Sequence, residues 1–141
     1  MPLSGVQNQL SFEQIEVGMV LRTAESFGYA EMDAFANLSG DHSAIHSSAE
    51  AALLCGFPDR LQYGFLLVSL LSRIVGTNFQ RSVCAAVSLD FMKPVAAKVS
   101  VEVSAEVVQI QQALRSVVLR IVMTSEGSTV VRGKLTTVFL A

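Results

Sequence analysis

Two residue types able to move protons stand together in one short segment of this chain. The segment spans 38–46 and reads Leu-Ser-Gly-Asp-His-Ser-Ala-Ile-His, and it holds both histidines of the protein. Asp41 and His46 are five positions apart, so one loop can aim a carboxylate and an imidazole at the same point. Such a pair can work as an acid and a base. The alternative is structural, with Asp41 as a turn residue and His46 as a hydrogen-bonded side chain.

A glycine further along the chain can complete this pair. Gly64 opens a strongly apolar stretch, and a glycine at the start of a helix lets the backbone approach a ligand closely. The N–H of that residue, aided by the helix dipole, can stabilise a developing oxyanion. A base, an acid and an oxyanion donor together suit chemistry next to a carbonyl group.

The residues give little support for a metal site, a phosphate-binding loop or a serine nucleophile. The Asp41–His46 loop has no third ligand at a spacing that suits a metal ion. The chain has no glycine-rich phosphate loop, and the serines near the pair lack a nucleophile-elbow pattern. We therefore expect neither a metal nor a cofactor.

The secondary structure that must position these residues is predicted to change from short helices to long strands along the chain. Helical spacing predicts short helices over 29–37 and 49–54 and an apolar helix, buried all round, over 64–75. A weak alternation over 20–26 and a clear one from Val83 onward, cleanest over 99–107, predict strands. Short helices followed by an antiparallel meander predict an α+β domain, with a curved sheet wrapped around the helix over 64–75.

Length and composition set the organisation of the chain. A length of 141 residues predicts a single domain over 12–141 after a loosely held tail over 1–11. Apolar residues make up 51% of the chain and charged residues only 16%. A surface with so few charges predicts that a second copy of the chain covers part of it.

The charge, the apolar runs and the cysteines indicate which partners and which compartment to expect. The net charge is −2 and basic residues do not cluster, which argues against nucleic-acid binding. The longest apolar run, over 65–71, is too short to span a membrane, and residues 1–5 do not resemble a signal peptide. Cys55 and Cys84 lack CxxC spacing and are expected to be reduced core residues of a cytoplasmic protein.

Three segments resemble one known family. Residues 35–46, Phe-Ala-Asn-Leu-Ser-Gly-Asp-His-Ser-Ala-Ile-His, resemble the signature F-A-x-L-S-G-D-x-N-P-[LIV]-H of the MaoC-like, (R)-specific enoyl-CoA hydratases. Residues 61–66, Leu-Gln-Tyr-Gly-Phe-Leu, are similar to the family's I-x-H-G-M-L. Residues 89–95, Leu-Asp-Phe-Met-Lys-Pro-Val, are similar to its L-x-F-x-x-P-V. The resemblance runs from about Phe12 to the C-terminus.

The resemblance implies a fold and a reaction. The family fold is the hotdog, a long helix wrapped by an antiparallel sheet, and it usually forms a homodimer with one continuous sheet. By resemblance, Asp41 and His46 activate the water that adds across the 2,3-double bond of an enoyl thioester carried by coenzyme A or a carrier protein. The reverse reaction dehydrates an (R)-3-hydroxyacyl thioester. The N–H of Gly64 would bind the thioester oxygen, and Ser72 matches a serine that orients the pair.

Two departures from the family pattern surround this site. Ser43-Ala44 replaces Asn-Pro, and Tyr63 replaces a histidine before the glycine. We expect Ser43 and Tyr63 to contribute to substrate binding and the reaction class to stay the same, with a changed substrate or carrier. Two alternatives remain, namely a hotdog thioesterase in which Asp41 activates water and a non-catalytic module that binds acyl thioesters.

Overall fold

The structure, a computed structural model, describes residues 9–141. Most of the expected tail, residues 1–8, lies outside the described part of the chain. At the end of that tail, Leu10 forms a parallel bridge with Phe79. The Leu10 N–H also donates to the Asn78 carbonyl oxygen at 2.7 Å. The chain is thus attached to the domain from Leu10 onward.

The helices lie before the long strands, as the periodicity predicted. After a 3₁₀ turn over Phe12–Gln14, the helices are α1 Tyr29–Ser39, α2 Ala44–Ser47, α3 Ala49–Leu54 and α4 Gly64–Asn78. Gly40 caps the C-terminus of α1, and its φ of 78° is left-handed and favours glycine. The Ser48 hydroxyl caps α3 by accepting from the Ala51 N–H at 3.1 Å. Helix α2 was expected to be a loop, because a single turn has no period to detect.

Five antiparallel strands form one sheet around α4, which confirms the expected α+β architecture. The strands are β1 Val20–Glu25, β2 Ser82–Phe91, β3 Val101–Gln111, β4 Ser116–Ser125 and β5 Ser128–Phe139. Their order in the sheet is β1-β3-β4-β5-β2. The inner face of the sheet packs on the buried side of α4, which consists of Leu66, Leu67, Leu70, Leu71, Ile74 and Val75.

Helix α4 is not buried all round, contrary to the prediction from its composition. Phe65 keeps 76% of its surface exposed, and Ser72 and Arg73 are also exposed. The reason is topological, because β2 is an edge strand and leaves one side of the helix open. On β2 itself, Val83 and Val87 are 48% and 45% exposed. The single chain therefore presents an open apolar edge.

The prediction that both cysteines belong to the core is wrong, since both are free and exposed. Cys55 follows the last residue of α3, where the chain turns away from the core. Cys84 lies on the edge strand β2, next to a shift in its register with β5. Apolar neighbours in sequence misled the prediction, because they are themselves exposed at these two places. Over residues 9–141, no helix combines the length and hydropathy needed to cross a membrane.

Candidate active site

His46 lies on α2, a helix too short to be stable without tertiary contacts. The Leu61 N–H donates to the Ile45 carbonyl oxygen at 3.0 Å, and the His46 Nδ1 lies 2.7 Å from the Leu61 carbonyl oxygen. Because a carbonyl oxygen can only accept, Nδ1 carries the proton of the neutral ring. The Nε2 atom then holds the lone pair, so His46 can act as a base through Nε2.

Asp41 is held as a carboxylate by Ser43. The Ser43 hydroxyl donates to Asp41 Oδ1 at 2.5 Å, and the Ser43 N–H donates to the same oxygen at 3.0 Å. These two bonds, the hydroxyl bond first, keep the pKa of Asp41 below its ordinary value. Among residues 9–141 only Ser43 donates to this carboxylate, and both bonds end on Oδ1. The second oxygen, Oδ2, is therefore available to a water molecule or a substrate.

Tyr63 contacts both members of the pair. Its ring stacks on the His46 ring with centroids 4.1 Å apart, and its hydroxyl donates to the Asp41 carbonyl oxygen at 2.8 Å. Only 2% of Tyr63 is exposed. Burial, followed by the charge of Asp41, raises its pKa, so the hydroxyl stays a neutral donor. Tyr63 thus lies behind the pair and fixes the position of one residue relative to the other.

Gly64 and His46 line the same cavity, which has a volume of about 320 Å³. The Gly64 N–H is the first of α4, where no acceptor within the helix is available. A β-carbon at Gly64 would lie 2.8 Å from Cε1 of Phe91, the last residue of β2. The end of β2 therefore presses against the start of α4, and a glycine leaves room for both.

The structure brings most of the predicted site residues together, but not all. His46 and Gly64 line the same cavity. Tyr63 contacts the His46 ring and hydrogen-bonds to the Asp41 backbone, and Ser43 hydrogen-bonds to the Asp41 carboxylate. Ser72 does not join them, because it lines a separate groove of about 290 Å³ between α4 and β2. It lies two helical turns beyond Gly64, about 12 Å along the helix axis.

One buried residue beside the pair escaped the sequence reasoning. Arg60 is 7% exposed and its Nε donates to the His46 carbonyl oxygen at 2.6 Å. A single arginine in a connecting segment has no periodicity that separates it from a surface arginine, so only the structure reveals it. Residues 9–141 contain no cluster of three His, Cys, Asp or Glu side chains that could hold a metal ion.

The arrangement can carry out addition of water next to a carbonyl group. The His46 imidazole and the N-terminus of α4 lie beside one cavity, and the ionised Asp41 carboxylate lies in the loop just before α2. The imidazole can take a proton from water, the carboxylate can hold that water, and the backbone N–H can stabilise negative charge on oxygen.

Comparison with known proteins shows which family the chain resembles. The MaoC like domain family matches residues 10–129. The (R)-specific enoyl-CoA hydratase of Aeromonas caviae is 37% identical over 100 residues, which cover 70% of this chain and 73% of that protein. The mitochondrial 3-hydroxyacyl-[acyl-carrier-protein] dehydratase of Arabidopsis thaliana is 36% identical over 81 residues, which cover 57% of this chain. They cover 49% of the plant protein, so this chain spans about half the length of that relative.

Solved structures share the fold. The (R)-hydratase from A. caviae involved in PHA biosynthesis superimposes with a TM-score of 0.87 at 28% identity, covering 91% of this chain and 99% of that one. The R-hydratase PhaJ1 from Pseudomonas aeruginosa gives a TM-score of 0.82 at 24% identity, covering 92% and 90%. These likenesses confirm the expected hotdog fold.

Proposed function

Because this chain belongs to the MaoC-like family, we propose that it is an (R)-specific enoyl-thioester hydratase, or a 3-hydroxyacyl-thioester dehydratase in the reverse direction. The proposal rests on the contacts of Tyr63, whose ring stacks on His46 and whose hydroxyl donates to the Asp41 carbonyl oxygen. His46 and the first residue of α4, Gly64, line the same cavity. The names of the Aeromonas and Arabidopsis relatives support the same pair of activities.

The proposed hydration uses three groups, and His46 acts first as base and then as acid. Nε2 of His46 takes a proton from a water molecule that the Asp41 carboxylate holds, and the water oxygen attacks C3 of the enoyl thioester. Negative charge moves to the thioester oxygen, which the Gly64 N–H stabilises. The protonated His46 then gives its proton to C2, which regenerates the base. Acid/base catalysis is worth roughly 10²–10⁴ in rate, and one oxyanion donor about 10²–10³.

The cavity beside His46 fits the acyl part of such a substrate. Its walls include the apolar side chains of Leu67, Phe91 and Pro94, as expected for a pocket that takes an alkyl chain. We propose that the thioester is carried by coenzyme A or by an acyl-carrier protein. The substitutions at Ser43 and Tyr63 keep the pair in place, because both side chains hydrogen-bond to Asp41.

We further propose that the protein works as a homodimer in the cytoplasm. A second copy would cover the open edge formed by Phe65, Val83 and Val87, which are 76%, 48% and 45% exposed. A reducing compartment would keep the two exposed thiols, Cys55 and Cys84, free.

The proposal is tested with a panel of enoyl thioesters, from crotonyl-CoA to medium-chain and carrier-linked substrates. We expect Asp41→Asn and His46→Gln to lower kcat by roughly 10²–10⁴, because each removes a proton-transfer or water-holding group. His42→Gln is the matched control and should retain most of the activity, since His42 is exposed and lies outside the cavity.

Three other outcomes would contradict the hydratase proposal, and two of them would assign a different function. Equally poor hydration by the wild type and by both variants contradicts the proposal. Release of free thiol from acyl thioesters would show a thioesterase instead. Tight binding of acyl thioesters without turnover would show a non-catalytic module.

A further inference from the structure

Arg60 is a charged residue enclosed by the protein. It lies in the segment between α3 and α4, with 8% of its side chain exposed. A charge this deeply buried is costly unless ion pairs and hydrogen bonds compensate for it. Its contacts therefore show what the residue does.

One end of the Arg60 side chain is anchored on α1. Its Nη2 donates to Asp33 Oδ1 at 2.6 Å, and the two form an ion pair. The guanidinium also lies over the Tyr29 ring, 4.4 Å from its centroid, a favourable arrangement for a cation. The position of the guanidinium is thus fixed by two residues of one helix.

The other contact reaches the helix that carries His46. Arg60 Nε donates to the His46 carbonyl oxygen at 2.6 Å, at the end of α2, where carbonyl groups lack donors within the helix and favour a positive charge. Arg60-Leu61 makes three bonds to Ile45-His46 in total. The two bonds made by Leu61 use its backbone groups, which any residue could supply. The Arg60 bond is the one that depends on side-chain identity.

We propose that Arg60 is a positioning residue that ties α2 to α1 and so fixes the direction of His46 Nε2 toward the cavity. This role rests on the proposed function, in which His46 is the base. Arginine is required because its planar group reaches a carbonyl oxygen through Nε and a carboxylate through Nη2 at once. A lysine offers a single compact ammonium group and cannot bridge the two acceptors in the same way.

The kinetic test compares Arg60→Met and Arg60→Lys in the full chain. Since a shift of about 1 Å in a catalytic group can cost 10²-fold, we expect kcat to fall roughly 10–100-fold in Arg60→Met. The fall should be smaller in Arg60→Lys, and KM should change little in both. The matched control is Arg120→Met, which breaks an exposed ion pair with Glu106 on the outer face of the sheet and should leave kcat unchanged.

A second readout does not depend on activity. In a His42→Gln background His46 is the single histidine of the chain, so the nitrogen NMR shifts of one ring report its tautomer. We expect the Nδ1–H form in the otherwise unchanged protein and a mixture of tautomers in Arg60→Met and, to a smaller degree, in Asp33→Asn. Asp33 is 62% exposed, so this second variant loosens the anchor without opening the core.

The outcomes separate the two proposals. If the wild type hydrates no thioester, the proposed function fails, while the His46 tautomer still decides the role of Arg60. A folded Arg60→Met protein with an unchanged His46 tautomer overturns the positioning role, whether or not its kcat falls. If Arg60→Met does not fold, the His46 nitrogen shifts of Arg60→Lys and Asp33→Asn decide the role of Arg60 instead, and an unchanged tautomer in both variants overturns it.

Discussion

Ser43 stands where the family signature has an asparagine, and the structure shows what it does there. Both of its hydrogen bonds to the Asp41 side chain end on Oδ1. An asparagine side chain would be longer and would carry its own acceptor, whereas the short hydroxyl of Ser43 donates directly to the carboxylate. The substitution thus keeps Asp41 ionised and oriented without the original residue type.

Replacing Ser43 by alanine should reveal this bond through the pH dependence of stability. The pKa of Asp41 is lower in the folded protein than in the unfolded chain. The stabilisation is therefore present above the unfolded value of about 3.9 and is lost as pH falls through the folded value. We expect Ser43→Ala to unfold at lower urea concentration than the wild type at pH 7, with the difference shrinking below about pH 4.

Ser47→Ala is the matched control for this measurement. The Ser47 hydroxyl donates to the Ser43 carbonyl oxygen at 3.0 Å and touches no carboxylate. Its effect on stability should be independent of pH over the same range. A loss in Ser43→Ala that is equally independent of pH would show that the hydroxyl does not act through the ionisation of Asp41.

The candidate site depends on the contact between the end of β2 and the start of α4. Phe91 occupies the space where a side chain at Gly64 would begin. Phe91 is 51% exposed, so its ring can move away at little cost in folding energy. The meeting of these two elements therefore matters more for the shape of the cavity than for the stability of the domain.

Gly64→Ala should keep the fold but lose activity. The added methyl group forces the Phe91 ring to move within the cavity wall and shifts the N–H that binds the thioester oxygen in the proposed reaction. We expect kcat/KM to fall by about tenfold or more, with a small change in Tm. Phe91→Leu in the same chain frees the space and should recover part of the loss, which a double-mutant cycle measures. Additive effects of the two substitutions would contradict a contact between these residues.

The elements also differ in how well the sequence predicted them. The alternation of β3 and the leucines of α4 mark long elements, and the sequence predicted both elements, although it wrongly predicted α4 to be buried all round. Helix α2 has four residues, fewer than any periodicity requires. The register shift between Cys84 and Ala86 could not be predicted either, because it depends on pairing with β5.

The open side of α4 and the edge strand β2 predict self-association of the chain. Val87 lines the groove that also holds Ser72, so a charge there would stay buried in a dimer. We expect Val87→Lys to convert a dimer into a monomer, as measured by sedimentation or light scattering, since charged residues block the pairing of edge strands. Val20→Lys on the opposite edge strand, where Val20 is 39% exposed, should leave the dimer intact. A monomeric wild type would contradict the proposal.

The fold class could be predicted from the sequence, and Asp41 and His46 could be proposed as a pair, because both inferences depend on local pattern. The roles of Tyr63 and Arg60 could not be predicted, because their partners are distant in sequence. Tyr63 reaches back to Asp41 across 22 positions, and Arg60 reaches Asp33 across 27. Contacts between loops of this separation are set by the packing of the whole domain. Ser72 was predicted near the pair, but its place along α4 separates it from them within one chain.

The location of the two tyrosines has a consequence for spectroscopy. The chain has two tyrosines and no tryptophan, and both tyrosines flank the segment that carries His46. Tyr63 stacks on the His46 ring and Tyr29 lies under the Arg60 guanidinium. The intrinsic fluorescence of this protein therefore originates beside the candidate active site, while far-ultraviolet circular dichroism reports the sheet. Ligand binding and global unfolding can thus be followed separately in one unlabelled sample.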